Sequence, residues 1–369
     1  MSTRTKLVTW FGAFAASFAG ALILLEMFIM ISPFILYYYG VYGPVMSLLH
    51  LSRWTAWLTA FFLPHLVSFP PMPDLVTVGF LIFVVGVLAF LVNAGQLYYV
   101  KLRKKSVAVR GLYARIRHPQ YLCLGVASFG LLIAWPRFII LVFFVSMLFV
   151  YYFLARDEER RMEAAFGDSY RSYLHRTWMF LPGEPGTKLL GLLSQKPWSS
   201  RSIALCLWPT SLILSVGIAL LLRSASIQAI PKLFFAEGSI AAVPLSARET
   251  SVAAAFLAEA LTNPQVRDRF GQGGEFLVLV AENDAKLHHV LIDLGMEGRE
   301  TKKYSGPGIS AVVSKAVSPT RTVLSGAELL AVGIALEPTF MLTAAPGGGT
   351  RIVDLTPDQF RGNRAAPLF

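Results

Sequence analysis

Long runs of apolar residues dominate the first 223 positions of the chain and predict membrane-spanning helices. A helix needs about 20 apolar residues to cross a bilayer. The runs that reach this length are residues 7–31, 44–67, 75–100, 138–155 and 201–222. The first run contains Glu26, and an ionisable residue inside a span usually faces protein or a cavity.

A further apolar run, residues 121–134, is shorter than the others. At about 1.5 Å per residue it would barely cross a bilayer. The turn Trp135-Pro136-Arg137 joins it to the run at 138–155, which predicts a helical hairpin whose outer ends lie on the same side. Residues 156–176 are then predicted to form a charged helix, whose spaced apolar residues suit a position along the membrane surface.

From residue 224 onwards, apolar and polar residues mix as in an ordinary soluble domain. The pattern predicts an amphipathic helix at 249–261 and strands at 275–281, 289–294, 309–313, 339–343 and 351–355. The predicted fold is an all-α polytopic membrane domain of about five helices plus a sixth span, followed by a small α+β soluble domain. The expected parts are the membrane domain (1–185), a linker with the last span (186–223) and the soluble domain (224–369).

The charge of the chain follows the same division. The net charge is +11; residues 1–223 hold 20 Lys and Arg against 8 Asp and Glu, and the remaining residues hold 13 against 14. Cytoplasmic loops of membrane proteins are rich in Lys and Arg, which explains the basic excess without a nucleic-acid partner. Residues 101–118 contain seven basic residues and no acidic one, so this loop is predicted to be cytoplasmic.

Counting spans from that loop predicts the topology of a multi-pass protein of a bacterial inner membrane. Counting forward places residues 224–369 on the opposite side from the loop. Counting back through three spans places the N-terminus outside, in conflict with the basic residues Arg4 and Lys6.

The sequence offers little support for metal binding. The two cysteines, Cys123 and Cys206, both lie in apolar segments. His288 and His289 precede Asp293, but neighbouring residues on a strand point to opposite faces, and no third ligand has suitable spacing. No metal site is therefore predicted.

A short motif, R-H-P-Q-Y, begins at Arg117 between the basic loop and a membrane helix. Pro119 suits the first turn of that helix and forces His118 towards an extended conformation. The helix start presents free N–H groups and a partial positive charge, so with Arg117 and His118 it would bind a carboxylate or phosphate. Tyr113 and Tyr121 add aromatic faces that attract cations. The alternative is a basic loop at the membrane boundary with interfacial tyrosines.

Glu158 and Glu159 stand at the cytoplasmic end of the following span. Adjacent helix residues do not share a face, so at most one of them should point at a ligand. The alternative is that both lie on a solvated charged helix, where they form ion pairs with arginines. The predicted hairpin brings them to the same membrane surface as the R-H-P-Q-Y motif.

Three segments in order resemble the isoprenylcysteine carboxyl methyltransferase family and, more broadly, the superfamily that includes phospholipid methyltransferases. They are G-L-Y-A-R-I-R-H-P-Q-Y from Gly111, E-E-R-R-M-E-A-A-F-G-D-S-Y-R-S-Y from Glu158, and F-L-P from Phe180. The resemblance covers residues 75–182. It implies S-adenosylmethionine as cofactor, bound in a cytosol-facing pocket formed by the last helices and their loops.

The resemblance also implies particular contacts. Cofactor contacts fall on Tyr113, His118, Pro119, Gln120, Tyr121 and Glu158, and the candidate set further includes Arg117 and Glu159. A family glutamine corresponds to Gln96 if the alignment takes a gap. The family's histidine near residues 105–108 is Lys105 here. Its substrate-contacting arginine falls on Leu154, which leaves Arg156 as the nearby candidate for substrate contact.

We therefore expect an integral membrane methyltransferase that transfers the methyl group of S-adenosylmethionine to a lipid-like or other amphipathic small molecule at the cytoplasmic face. No catalytic residue is assigned, because a carboxylate or thiolate acceptor needs no general base. Two alternatives stay open. One is an NADPH-dependent membrane reductase of the sterol-reductase type, and the other is a non-catalytic scaffold or sensor that acts through the C-terminal domain.

Overall fold

The computed structural model describes residues 3–42, 48–49, 55–64, 67, 74–104, 109–183, 200–235, 239–246, 250–296, 298–304, 308–317, 335–345, 349–356 and 359–360. Within these residues, six helices precede the C-terminal sheet. They are α1 (Thr3–Tyr42), α2 (Leu75–Lys104), α3 (Pro119–Ala134), α4 (Phe138–Phe166), α5 (Asp168–Arg176) and α6 (Ser200–Ala229).

Four helical segments of the described chain are long and apolar enough to cross a membrane: Gly20–Tyr39, Leu75–Arg103, Phe138–Phe166 and Leu205–Ala229. The prediction of a helical part with several candidate membrane spans is confirmed, and the predicted number of about five helices plus a sixth span stays a prediction. Helix α3 has only 16 residues, or about 24 Å at 1.5 Å per residue, which is shorter than a bilayer core of about 30 Å.

The predicted span at residues 44–67 is wrong. Among its described residues, Leu48 and Leu49 are helical, Ala56–Thr59 form a 3₁₀ turn, and Ala60 is extended. Phe61 then forms an isolated bridge with Arg137, whose guanidinium lies 3.8 Å from the centroid of the Phe61 ring. This cation–π contact and the bridge hold the segment against the α3–α4 turn instead of extending it as a helix. Two candidate spans of the described chain, and not three, precede Lys101.

The charged helix predicted at residues 156–176 is divided. Helix α4 continues without a break from the apolar run to Phe166, and Gly167 takes a φ of +54° before α5 begins. Glycine adopts this left-handed conformation without the steric cost of a Cβ atom. The acidic pair at positions 158 and 159 is consequently carried on a rigid extension of the membrane helix.

Glycines allow α2 and α3 to pack backbone against backbone. A Cβ atom on Gly130 would lie 2.4 Å from the Phe83 nitrogen and 2.5 Å from the Gly79 carbonyl oxygen. A Cβ atom on Gly86 would lie 2.5 Å from the Ala127 nitrogen. Small residues at such crossings are typical of membrane helices, where close packing replaces the hydrophobic effect.

We expect Gly130→Val to destabilise the membrane part. The new side chain would meet backbone atoms that cannot move aside, and overpacking of this kind costs about 1–3 kcal/mol or more. The matched control is Gly95→Val on α2, because nothing lies within 4 Å of the Cβ position there. Thermal unfolding in detergent, followed by circular dichroism, measures the difference. Equal melting temperatures for the two variants would contradict the role assigned to the glycine contact.

The described tail contains one mixed sheet whose strands are ordered as in the chain. The strands are β1 (Leu233–Phe235), β2 (Ile240–Pro244), β3 (Phe276–Ala281), β4 (Ser310–Val317), β5 (Ala335–Ala344) and β6 (Thr350–Asp354). Only β2 and β3 are parallel, and the other neighbours are antiparallel. The crossover between β2 and β3 contains α7 (Thr250–Ala260) and α8 (Pro264–Gly271), as a parallel pair requires.

Helices cover both faces of this sheet. Phe276, Val278 and Val280 of β3 pack in the core beneath α7 and α8. The alternate residues of β3 pack with α9 (Asp284–Asp293), as the two-residue period of a strand dictates. Ile230, the residue after α6, is buried in the α9 core, so the last span is joined directly to the sheet.

The predicted helix at 249–261 and the strands at 275–281, 309–313, 339–343 and 351–355 are confirmed, whereas the strand at 289–294 is wrong. That segment belongs to α9, which begins where the Asn283 side chain accepts a hydrogen bond from the Lys286 nitrogen at 3.0 Å. The buried positions Leu287, Val290 and Leu291 follow helical spacing. His288 and His289 are therefore neighbours on a helix.

Candidate cofactor site

The R-H-P-Q-Y motif is held in place by the segment that follows α5. Arg117 donates its backbone N–H to the Trp178 carbonyl at 2.8 Å, and His118 donates to the Met179 carbonyl at 3.1 Å. Trp178 in turn donates to the Arg115 carbonyl at 2.9 Å. These bonds form a short parallel pairing, which fixes the backbone of the motif to the region just before the F-L-P segment.

Pro119 begins α3, and its missing N–H costs nothing there because the first N–H groups of a helix have no partner within the helix. The His118 carbonyl accepts the first bond of the helix from Leu122 at 3.2 Å. The side chain of His118 therefore lies at the N-terminal end of α3. This is the position at which the partial positive charge of a helix is strongest.

Arg117 forms a buried clamp with Glu159. Its Nε donates to Glu159 Oε1 at 2.6 Å, and its terminal nitrogen donates to the Leu174 carbonyl at 3.1 Å and to the Thr177 carbonyl. The side chains of Arg117 and Glu159 are only 13% and 6% exposed. The clamp links the motif to α4 and to the end of α5.

His118 lies between the two acidic residues of α4. Its Nδ1 is 3.5 Å from Glu158 Oε2 and its Nε2 is 3.5 Å from Glu159 Oε1. Burial favours the neutral ring, but the hydrogen-bonding capacity and charge of both carboxylates outweigh that effect and raise the pKa of His118 above its ordinary value. The side chain is 3% exposed, and within the described residues neither ring nitrogen has a hydrogen bond of good geometry.

Aromatic residues complete this side of the site. The Tyr121 ring is stacked on His118, with ring centroids 5.6 Å apart, and its hydroxyl donates to Glu158 at 3.4 Å. The Tyr113 hydroxyl donates to Gln120 Oε1 at 3.1 Å, while the Tyr113 carbonyl accepts from the Tyr173 hydroxyl at 2.7 Å. Each of the polar side chains is thus oriented by a neighbour.

These residues line a cavity of about 510 Å³. Pockets for small molecules and cofactors typically measure about 300–1,000 Å³, so a nucleoside-sized ligand fits. Six of the predicted site residues lie in its wall: Tyr113, Arg117, His118, Gln120, Tyr121 and Glu158. Of the adjacent acidic pair, Glu158 lines the cavity and Glu159 forms the clamp behind it.

Other candidate residues are placed elsewhere. Gln96 donates to the Arg110 carbonyl at 2.7 Å. A Cβ atom on Gly111, whose φ is +62°, would lie 3.0 Å from the Gln96 Oε1, so glutamine and glycine together shape the loop before Tyr113. Arg156 is half-exposed and lies 3.4 Å from Glu159. Lys105 and the expected contacts at 105–108 lie outside the described residues.

The cavity also has a wall that the motif did not indicate. Helices α1 and α2 contribute Glu26, Ile29, Met30, Leu97, Tyr98 and Lys101. Two of these carried a sequence signal: Glu26 as an ionisable residue within an apolar run, and Lys101 as the first residue of the basic loop. Tyr170 and Tyr173 of α5 also line the cavity, and their helical spacing with Phe166 was the available sign that they share a face.

Comparisons of the chain with protein-family models, with curated proteins and with solved structures found no match. What the cavity binds must therefore be argued from its shape, its charges and its exposed hydrogen-bonding groups.

Proposed function

We propose that the protein is an integral membrane methyltransferase that uses S-adenosylmethionine and acts on a lipid-like or other amphipathic acceptor at the cytoplasmic membrane face. The observation that carries the proposal is the cavity itself, in which His118, Glu158, Tyr113 and Tyr121 meet near the N-terminal end of α3. A helix start suits an anionic group, a carboxylate suits a cationic or hydroxyl group, and aromatic faces suit a sulfonium, so a single zwitterionic cofactor fits all three.

The groups of the cavity match the groups of this cofactor. The start of α3 and His118 would bind its carboxylate, because both present positive charge and N–H donors. Glu158 would accept hydrogen bonds from its ammonium or ribose hydroxyls. Tyr113 and Tyr121 offer aromatic faces, which attract cations such as a sulfonium.

When bound, the cofactor would supply an activated methyl group, and the protein would align the acceptor with it. Methyl transfer requires the nucleophile, the methyl carbon and the sulfur in line at short distance. The apolar lining from Ile29, Met30 and Leu97 would exclude water from this arrangement. Under this proposal the chain contributes binding and orientation.

We further propose that the N-terminus and the loop at 101–118 are cytoplasmic. With the two candidate spans that the described residues provide before this loop, the basic residues Arg4 and Lys6 would lie on the same side as the loop, which agrees with the excess of Lys and Arg expected in cytoplasmic segments. Helix α6 then carries residues 230–369 to the opposite side, as expected for a bacterial inner-membrane protein.

Titration of the purified protein with S-adenosylmethionine and, separately, with NADPH tests the cofactor. We expect S-adenosylmethionine to bind with a dissociation constant in the micromolar range, about −8 kcal/mol, as measured by isothermal titration calorimetry. NADPH should give no heat of binding. Tight NADPH binding without a response to S-adenosylmethionine would instead favour a membrane reductase. No binding of either ligand would favour a scaffold or sensor.

A further inference from the structure

We propose that Lys101 and Glu26 select the acceptor: Lys101 binds the anionic head group of an amphiphile, which displaces the Glu26 carboxylate. This inference rests on the proposed methyl transfer, because it assigns the second substrate of the same cavity. Neither residue belongs to the three segments that carry the family resemblance. The two side chains come from α1 and α2, while the proposed cofactor groups come mainly from α3 and α4.

The two residues form an ion pair in the wall of the cavity. Lys101 Nζ donates to a carboxylate oxygen of Glu26, across 75 positions of sequence. Each side chain is 44% exposed. Ion pairs with this much exposure contribute little to stability, so a ligand that offers Lys101 another anion can replace Glu26 at small cost.

The surroundings of the pair suit an amphiphile. Ile29 and Met30 follow Glu26 by about one helical turn, Leu97 precedes Lys101 by one turn, and all three line the cavity, where they would contact an apolar chain. Helix α1 exposes Leu25, Phe28 and other large apolar residues on its outer surface, as expected for contact with lipid. An acceptor with a long apolar part can therefore reach the cavity from the bilayer and present its head group to Lys101.

A balance of charges favours an anionic head group. Arg117 is paired with Glu159 behind the cavity, and among the other residues that line it Lys101 and Arg161 balance Glu26 and Glu158. S-adenosylmethionine adds one net positive charge, from an ammonium, a sulfonium and a carboxylate. A buried net charge is unfavourable, and one negative charge on the acceptor restores neutrality.

The same charge makes a base unnecessary. The anionic oxygen or sulfur of the acceptor forms a bond to the methyl carbon with its own electron pair. The bond between that carbon and the sulfonium sulfur breaks, and its electron pair remains on sulfur. The products are a neutral methylated acceptor and a thioether, and no proton is released. The cavity therefore needs a cation to hold the acceptor, which Lys101 provides.

The test compares three amphiphiles with the same long alkyl chain that end in a carboxylate, a primary amine or a hydroxyl group. Each is titrated into the full-length protein in nanodiscs of a zwitterionic lipid, with saturating S-adenosylmethionine. We expect the carboxylate to bind about tenfold more tightly than the alcohol. Lys101→Gln should abolish this preference, and Glu26→Gln should strengthen it because Lys101 loses its competitor.

The matched control is Arg103→Gln, which removes an exposed cation two residues further along α2. Arg103 lies over the Tyr99 ring and does not line the cavity, so its replacement should leave the preference unchanged. Equal binding of the three amphiphiles, no binding of any, tighter binding of the amine, or a preference that persists in Lys101→Gln would each overturn the inference. Absence of S-adenosylmethionine binding by the wild-type protein would overturn the proposed function instead.

Discussion

Glu158→Gln is expected to weaken S-adenosylmethionine binding by about 10–100-fold, which corresponds to the 1.5–3 kcal/mol of a hydrogen bond to a charged group. The substitution keeps the shape of the side chain but removes the negative charge that lies 3.5 Å from His118 and 3.4 Å from the Tyr121 hydroxyl. The proposed site then loses its acceptor for a cationic ligand group and a negative charge that raises the pKa of His118. Isothermal titration calorimetry of the purified variants measures the effect.

Asp157→Asn is the matched control, because it makes the same chemical change one residue earlier on α4. Asp157 is half-exposed and pairs with Arg160 and Arg161 at 2.9 and 3.2 Å, and it does not line the cavity. Its replacement should change the affinity for S-adenosylmethionine less than about twofold, because exposed ion pairs contribute little free energy. If the two variants bind S-adenosylmethionine equally, Glu158 does not contact the ligand.

The separate parts of the candidate site could be predicted from sequence because each carries a local signal. Pro119 after a histidine indicates a helix start, and paired glutamates after an apolar run indicate a helix end at the membrane surface. The short hairpin between them requires that both ends meet on one side. Local rules therefore suffice to place His118 near Glu158, although they give no distance.

The sequence could not predict which of the candidate residues line the cavity and which bind other protein groups. Which of Glu158 and Glu159 faces the cavity depends on the rotation of α4, and in this rotation Arg117 binds Glu159 and the Leu174 carbonyl of α5. The Gln96 side chain could likewise bind a ligand, but its amide nitrogen donates a hydrogen bond to the Arg110 carbonyl instead. Tertiary packing decides which hydrogen-bond partner each of these side chains binds, and the sequence of a single segment does not contain this information.

The pattern of apolar and polar residues also does not predict contacts between distant segments. The residues at 55–64 are as apolar as a span, and contacts with the α3–α4 turn, such as the bridge of Phe61 with Arg137, show that the segment turns back. In the tail, the apolar run at 289–294 suits a strand or a helix equally well by length. Asn283, five residues before His288, caps the N-terminus of a helix and so favours the helix over the strand. An asparagine can be recognised as a cap from sequence only if a helix is already predicted after it.

Arg117→Met is expected to destabilise the membrane part by about 3–5 kcal/mol, the cost of removing one partner from a buried ion pair. Methionine keeps most of the apolar stem of arginine, so the loss comes from the charge and its hydrogen bonds. The Glu159 carboxylate, 6% exposed, would keep only the weaker neighbours His118 and Arg156. Thermal unfolding in detergent measures the effect, with the exposed Arg115→Met as the control.

A second substitution separates the pair from the rest of the clamp. If the cost arises from the uncompensated carboxylate, then Glu159→Gln in the Arg117→Met background should recover part of the lost stability, because the remaining side chain is neutral. The carbonyl groups of Leu174 and Thr177 would still lack their donor, so recovery should be incomplete. Costs that simply add in the double variant would show that the two residues act independently. In that case the carbonyl contacts, and not the ion pair, hold the motif against α5.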